Sequence, residues 1–170
     1  MLGTFAVGKS SLVRRFVTGV FDASYQSTVG VKIDTCQVTL SPEETQQEAV
    51  NMKLLLWDLA GEAELNAQSQ AYITGMQGYL LVADGSRKET LFAADHIQQQ
   101  VMQSLGNLPF VMMLNKHDLV TQWQVPDGWI EERQARGWHI LTSSALSGEA
   151  VGEAFHHLAH AMYASTAEVS

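Results

Sequence analysis

Residues 3–12 read GTFAVGKSSL. Gly3, Gly8, Lys9 and Ser10 match G-x-x-x-x-G-K-[ST], the spacing of a loop that cradles phosphate. The chemistry asks for these residue types. Two glycines let the backbone turn tightly and bring its N–H groups onto anionic oxygens. Lys9 would reach the terminal phosphates, and the Ser10 hydroxyl suits Mg²⁺, which prefers hard oxygen ligands. The following SSLVRRFV reads as a helix opening, with Leu12, Val13, Phe16 and Val17 on one stripe. A helix N-terminus favours the same anion. The plainer alternative is a glycine-bearing turn before a helix. The motif is expected to follow a buried strand, yet only Met1 and Leu2 precede Gly3.

Composition narrows the class. A length of 170 residues suits one domain, 1–170, with a sizeable core. Hydrophobic residues make up 46%, which predicts a globular fold. Ten Lys plus Arg against 18 Asp plus Glu leave a net charge of −8. That balance opposes non-specific binding to nucleic acid or an anionic membrane, but not the capture of one nucleotide by a local loop. Cys36 is the single cysteine, so an internal disulfide is impossible and a reducing cytoplasm is expected. No apolar run approaches the ~20 residues of a membrane helix. The terminal YASTAEVS lacks a cysteine and residue 2 is Leu2, so neither a prenyl nor a myristoyl anchor is expected.

Strand-like and helix-like segments alternate along the chain. VKIDTCQVTL (31–40) has period two, and SPEETQQEAV is a polar turn region. NMKLLLWD (51–58), GYLLVAD (78–84) and PFVMMLNK read as strands, the last two of the buried parallel type. Helices are predicted over 90–105, 127–136 and 148–164, with a last strand at 138–142. Such alternation implies an α/β fold: an open, mostly parallel sheet with helices on both faces.

Four further pieces fall in order: Phe21 and Thr28 in FDASYQSTVG, then WDLAG (57–61), NKHD (115–118) and SSAL (143–146). Guanine presents two donors on one edge, and a carboxylate at Asp118 can accept both in a charge-assisted, bidentate pairing. Adenine lacks that pair, so such a site rejects it.

Taken together the chain resembles a small GTPase of the Ras superfamily, nearest in flavour to the Rab group (STVGVKI, LLLWDLAGE, GYLLVAD). The resemblance implies a six-stranded sheet whose central strand precedes the phosphate loop and is largely missing here. The given chain is therefore expected to be truncated and weakly stable. It also implies GTP or GDP with Mg²⁺. Gly3, Ala6, Val7, Gly8, Lys9, Ser10 and Ser11 would hold phosphates, and Ser10, Thr28 and Asp58 would serve the metal. Gly61 would bond the γ-phosphate. Phe21, Asn115, Lys116, Asp118, Leu119, Ser144, Ala145 and Leu146 would enclose the base. Loops around 25–32 and 61–75 would respond to the γ-phosphate. Effectors, exchange factors and GAP-type proteins would be the partners of a monomer.

Two departures bear on hydrolysis, for which Lys9, Thr28, Gly61 and residue 62 are the expected contributors. The family usually places a glutamine after WDLAG to orient water; here it is Glu62, which when ionised only accepts. Phe5 stands where a small residue is usual, either crowding the γ-phosphate or turning outward. Slow hydrolysis is expected, with a non-hydrolysing pseudo-GTPase, an interaction module, as the alternative. His156 and His160 have the i, i+4 spacing of a metal pair, but a solvated helix face is the expected role. Trp123, Trp129 and Trp138 are expected to pack.

Overall fold

The computed structural model describes residues 1–23, 28–45, 48–60 and 67–167, without the side chains of 67–69. In chain order the elements are α1 (Lys9–Thr18), β1 (Val31–Leu40), α2 (Pro42–Thr45), β2 (Val50–Leu59), α3 (Ala67–Ile73) and β3 (Tyr79–Asp84). They continue with α4 (Lys88–Leu105), β4 (Phe110–Asn115), a 3-10 turn (His117–Gln122), α5 (Trp129–Gln134), β5 (His139–Thr142) and α6 (Val151–Ala167).

Strands β3, β4 and β5 form a parallel sheet in that order. Every residue of β3 is buried, because its period of two feeds two cores. Leu81 and Ala83 face α4 (Leu91, Ala94, Ile97, Val101). Leu80 and Val82 face α1 and α6, meeting Leu12, Val13 and Phe155. The rings of Phe16 and Phe155 stack with centroids 4.0 Å apart, joining α1 to α6.

Strands β1 and β2 pair antiparallel along their whole length, from Val31 opposite Leu59 to Leu40 opposite Val50. Val38, Leu40 and Leu54 pack with Ala159 and dock this ribbon on α6. Ser41 opens α2: its N–H donates to Glu44 Oε2 at 2.7 Å, half of a capping box.

The predicted six-stranded sheet takes a different form among the described residues. Five strands form two sheets, and between them stands a single rung, Leu2 bridged in parallel to Leu81. Leu2 N donates to Leu80 O at 2.9 Å and Val82 N donates to Leu2 O at 2.8 Å. Among the described residues β2 and β3 are not paired with each other.

Candidate functional site

The phosphate-type loop leaves the Leu2 rung and enters α1. Gly3 has φ +141°, and a Cβ there would lie 2.3 Å from the Val82 carbonyl oxygen. Gly8 has φ +100°, and its Cβ would meet Asn115 Nδ2 at 2.3 Å. Both positions therefore need glycine for conformation and for space. Ala6, at φ 61°, bears left-handed strain without that excuse. Helix α1 begins on Gly8 with no side-chain cap and no acidic residue in its first turn. The amides of Lys9, Ser10 and Ser11 are left open to an anion.

Lys9 is buried and its Nζ donates to the carbonyls of Gly3 (2.9 Å) and Thr4 (3.1 Å). Burial pushes its ammonium down to about 8, against the pull of Asp58. A phosphate would supply the missing counter-charge.

Residues far apart in sequence then converge. Ser10 Oγ lies 2.7 Å from Thr28 Oγ1 and hydrogen-bonds to Asp58 Oδ2, to which Thr28 Oγ1 also donates at 3.5 Å. Asp58 is buried, and its Oδ1 has no hydrogen-bond partner among the described residues. Two hydroxyls and a carboxylate with one idle oxygen are a hard-oxygen set of the kind Mg²⁺ takes. The orphaned Oδ1 fits that cation.

At the other end, Asn115 closes β4 and is buried. Its Nδ2 donates to Val7 O at 2.8 Å, and its Oδ1 accepts from the Ala145 amide at 3.1 Å. One side chain thus fastens the phosphate loop to the SSAL loop. Ser144 Oγ donates to Asp118 Oδ1 at 2.5 Å and fixes that carboxylate. Leu119 lies in the 3-10 turn, Leu146 is exposed, and Phe21 is half-buried against the α1–α6 cluster.

Asp84 had no place in the motif reading, yet it is the hub of this end. Buried at the end of β3, it pairs with Lys116 Nζ at 2.7 Å and Arg87 Nε at 2.9 Å, and accepts from Ser86 N and Oγ. Burial raises its carboxyl, but the bonds from Lys116, Ser86 and Arg87 prevail and hold it below the usual carboxylate range. Arg87 Nη2 also donates to Phe5 O at 3.1 Å, so the hub reaches the phosphate loop. Lys116 sits at φ 68°, left-handed for a non-glycine residue. The one available signal was an aspartate closing a wholly apolar strand.

The family model described as Ras family matches residues 1–164. The chain belongs to the Ras family. Its relatives identify it as a Rab-like small GTPase of the Ras superfamily. It is 29% identical over 166 residues to Ras-related protein Rab-32B of Dictyostelium discoideum, covering 93% of this chain and 61% of that protein. It is 32% identical over 168 residues to RABA4b of Arabidopsis thaliana (96% and 70%). It is 31% identical over 160 residues to Rab11A of Lotus japonicus (91% and 66%). The chain therefore spans roughly two thirds of the length of these relatives.

Against the family pattern, two expected contributors, Gly61 and Glu62, lie outside the described residues. The described parts of the loops at 25–32 and 61–75 are 28–32 and 67–75. Phe5 is 56% exposed at the rim of the phosphate loop. The histidines of α6 do more than line a face. His156 Nε2 lies 2.6 Å from Glu44 Oε1, and His160 Nε2 lies 3.2 Å from Glu44 O. They stay partly exposed, His156 by 43% of its side chain, but also dock α2, because Glu44 brings a carboxylate and a carbonyl to them. Among the described residues no group of His, Cys, Asp or Glu is placed to hold a metal. The tryptophans pack as expected: Trp129 is buried under the Arg133 guanidinium and edge-on to Trp138, and Trp123 covers Gly85. No described helix is long and apolar enough to cross a membrane.

Proposed function

We propose that this chain is a guanine-nucleotide switch that binds GTP and GDP with Mg²⁺ and hydrolyses GTP slowly. The observation that carries the reading is the convergence of Ser10, Thr28 and Asp58 beside Lys9, with Asn115 linking that end to Asp118. In this reading the loop amides and Lys9 hold the β- and γ-phosphates. Ser10, Thr28 and Asp58 hold Mg²⁺, which would neutralise charge on the phosphate oxygens. Asp118 accepts from the guanine edge, its angle set by Ser144, and the Ala145 backbone faces the base carbonyl. The Lys116 stem and Phe21 cover the ring. Thr28 engages only when the γ-phosphate is present, which couples nucleotide state to the order of its loop and so to effectors, exchange factors and GAP-type partners. The chain would act as a monomer in the cytoplasm.

Hydrolysis is slow in this account because Glu62, when ionised, cannot donate and brings like charge toward the γ-phosphate. Phe5 at the rim of the loop adds bulk where a partner's arginine would enter. The same two residues favour a second reading, a pseudo-GTPase that keeps GTP and works through its surface. Loading with GTP, incubating, and identifying the nucleotide released on denaturation decides. GDP accumulating over hours supports the slow switch, persistent GTP supports the module, and no retained guanine nucleotide contradicts both.

A further inference from the structure

Arg87 stands where β3 hands over to α4, as the N-cap residue of that helix. Its backbone is fixed on both sides. Its N–H donates to Asp84 O at 2.9 Å, and its carbonyl accepts from Thr90 N at 3.0 Å and Thr90 Oγ1 at 2.8 Å. Its guanidinium is fixed as well, since Nε donates to Asp84 Oδ2 at 2.9 Å. The outer arm, Nη2, then donates to Phe5 O at 3.1 Å, across 82 positions of sequence. The planar fork of arginine lets one side chain hold both acceptors at a set spacing.

Peptide planarity carries that bond to the next residue. The Phe5–Ala6 peptide is trans, so its C=O and its N–H point in opposite directions. With the carbonyl drawn to Arg87, the Ala6 N–H is turned away from Arg87. Ala6 has φ 61° and Gly8 has φ 100°, and left-handed residues set into a turn make the concavity of amides that binds anions. A flip of this one peptide would replace a donor by a carbonyl oxygen and set partial negative charge against the anion. Strained backbone persists where its surroundings over-determine it, and the bond from Arg87 is such a hold on the residue before Ala6.

The anchor is shared with the other end of the site. Asp84 Oδ2 also takes Lys116 Nζ at 2.7 Å, so one buried carboxylate sets a cation at each end. Ser86 holds the second oxygen, Oδ1, through its N at 3.0 Å and its Oγ at 2.6 Å. Without Arg87, Asp84 therefore keeps Ser86 and Lys116. The Arg87 side chain is partly exposed, so its removal opens no cavity in the core.

We propose that Arg87 is a positioning residue for the phosphate loop: by holding the Phe5 carbonyl it aims the Ala6 amide at the phosphate chain. This rests on the reading of residues 3–11 as a nucleotide-binding loop, and adds to it a residue from outside every motif.

The test compares the wild type with Arg87→Met, which keeps an unbranched stem and removes both donors. GDP and ADP affinities are measured by calorimetric titration with Mg²⁺, and the Ala6 amide is followed by NMR. In the wild type, GDP should move the Ala6 amide proton downfield, as for a donor engaged by phosphate. Arg87→Met should bind GDP at least about tenfold more weakly, as for loss of a charge-assisted contact, with the Ala6 shift diminished. The ratio of GDP to ADP affinity should hold, because Asp118 keeps its bond from Ser144 and Lys116 its bond to Asp84. A general loosening of the fold would lower that ratio together with the affinity, and the melting temperature without nucleotide reports folding. An Ala6 amide indifferent to GDP in the wild type would overturn the proposal, whether or not the variant folds. So would unchanged GDP affinity in a folded Arg87→Met, or a loss matched by an equal fall in the ratio. These outcomes leave the nucleotide reading standing, whereas a wild type without affinity for GDP would sink that reading and the role of Arg87 with it.

Discussion

Asn115 and Val7 are 108 positions apart, and the Asn115 amide donates to the Val7 carbonyl at 2.8 Å. With its oxygen on the Ala145 amide, this one buried side chain sets the distance between the loop that would hold phosphate and the loops that would hold the base. Asn115→Ala leaves a buried carbonyl and a buried amide without partners, each worth about 1–3 kcal/mol. The expected outcome is a lower melting temperature and at least about tenfold weaker GDP binding, read by calorimetry. Unchanged binding would mean that the two ends do not act as one site.

His157 gives a prediction about pH. Burial first, and the neighbouring His139 next, hold its imidazole below the usual value. A base depressed in the folded state leaves the unfolded chain binding more protons below the ordinary imidazole range. Its contribution is complete above that range and is lost as pH falls through it. His157→Gln should flatten the acid-side fall in melting temperature relative to the unmodified protein; an unchanged slope would remove His157 from the account.

Much of this was legible in the chain. GTFAVGKSSL, NKHD and SSAL named the loops, and the wholly apolar runs at β3 and β4 named the parallel core, because a strand buried on both faces has no polar positions. The strand at 31–40 has the expected bounds, and its alternation holds from Asp34 to Leu40 but slips at Ile33, which is exposed. Two things were not legible. The Asp84 hub depends on Lys116 and Arg87 arriving from different directions, which no local pattern encodes. The docking of His156 and His160 depends on Glu44, 112 and 116 positions away. The single Leu2 rung, by contrast, was legible, since only Met1 and Leu2 precede Gly3.

Magnesium removal tests the hydroxyl–carboxylate set. Asp58 Oδ1 has no hydrogen-bond partner among the described residues; if it serves a cation, excess EDTA should speed release of a fluorescent GDP analogue by about tenfold or more, as expected for loss of a charge-assisted contact. Asp58→Ala should release it quickly with or without EDTA. A wild-type rate indifferent to EDTA would remove the metal from the account.

Glu62 and Phe5 are the two sequence departures assigned to slow hydrolysis. Glu62→Gln should raise the single-turnover rate by about 10-fold or more, in line with restoring a positioned donor. Adding Phe5→Gly should raise it further and restore sensitivity to a partner's arginine. If neither change moves the rate, the brake lies elsewhere.

The central claim is that Asp118 chooses the base for a phosphate tail held by Lys9. Its most direct test is the ratio of GDP to ADP affinity by equilibrium titration with Mg²⁺, in wild type and in Asp118→Ala. The account predicts a preference for GDP of about 10⁴-fold, as in sites built to pair a substrate's hydrogen-bonding edge, falling by about 100-fold or more in the variant. Equal affinity for the two nucleotides in the wild type, or a ratio that survives loss of Asp118, would contradict it.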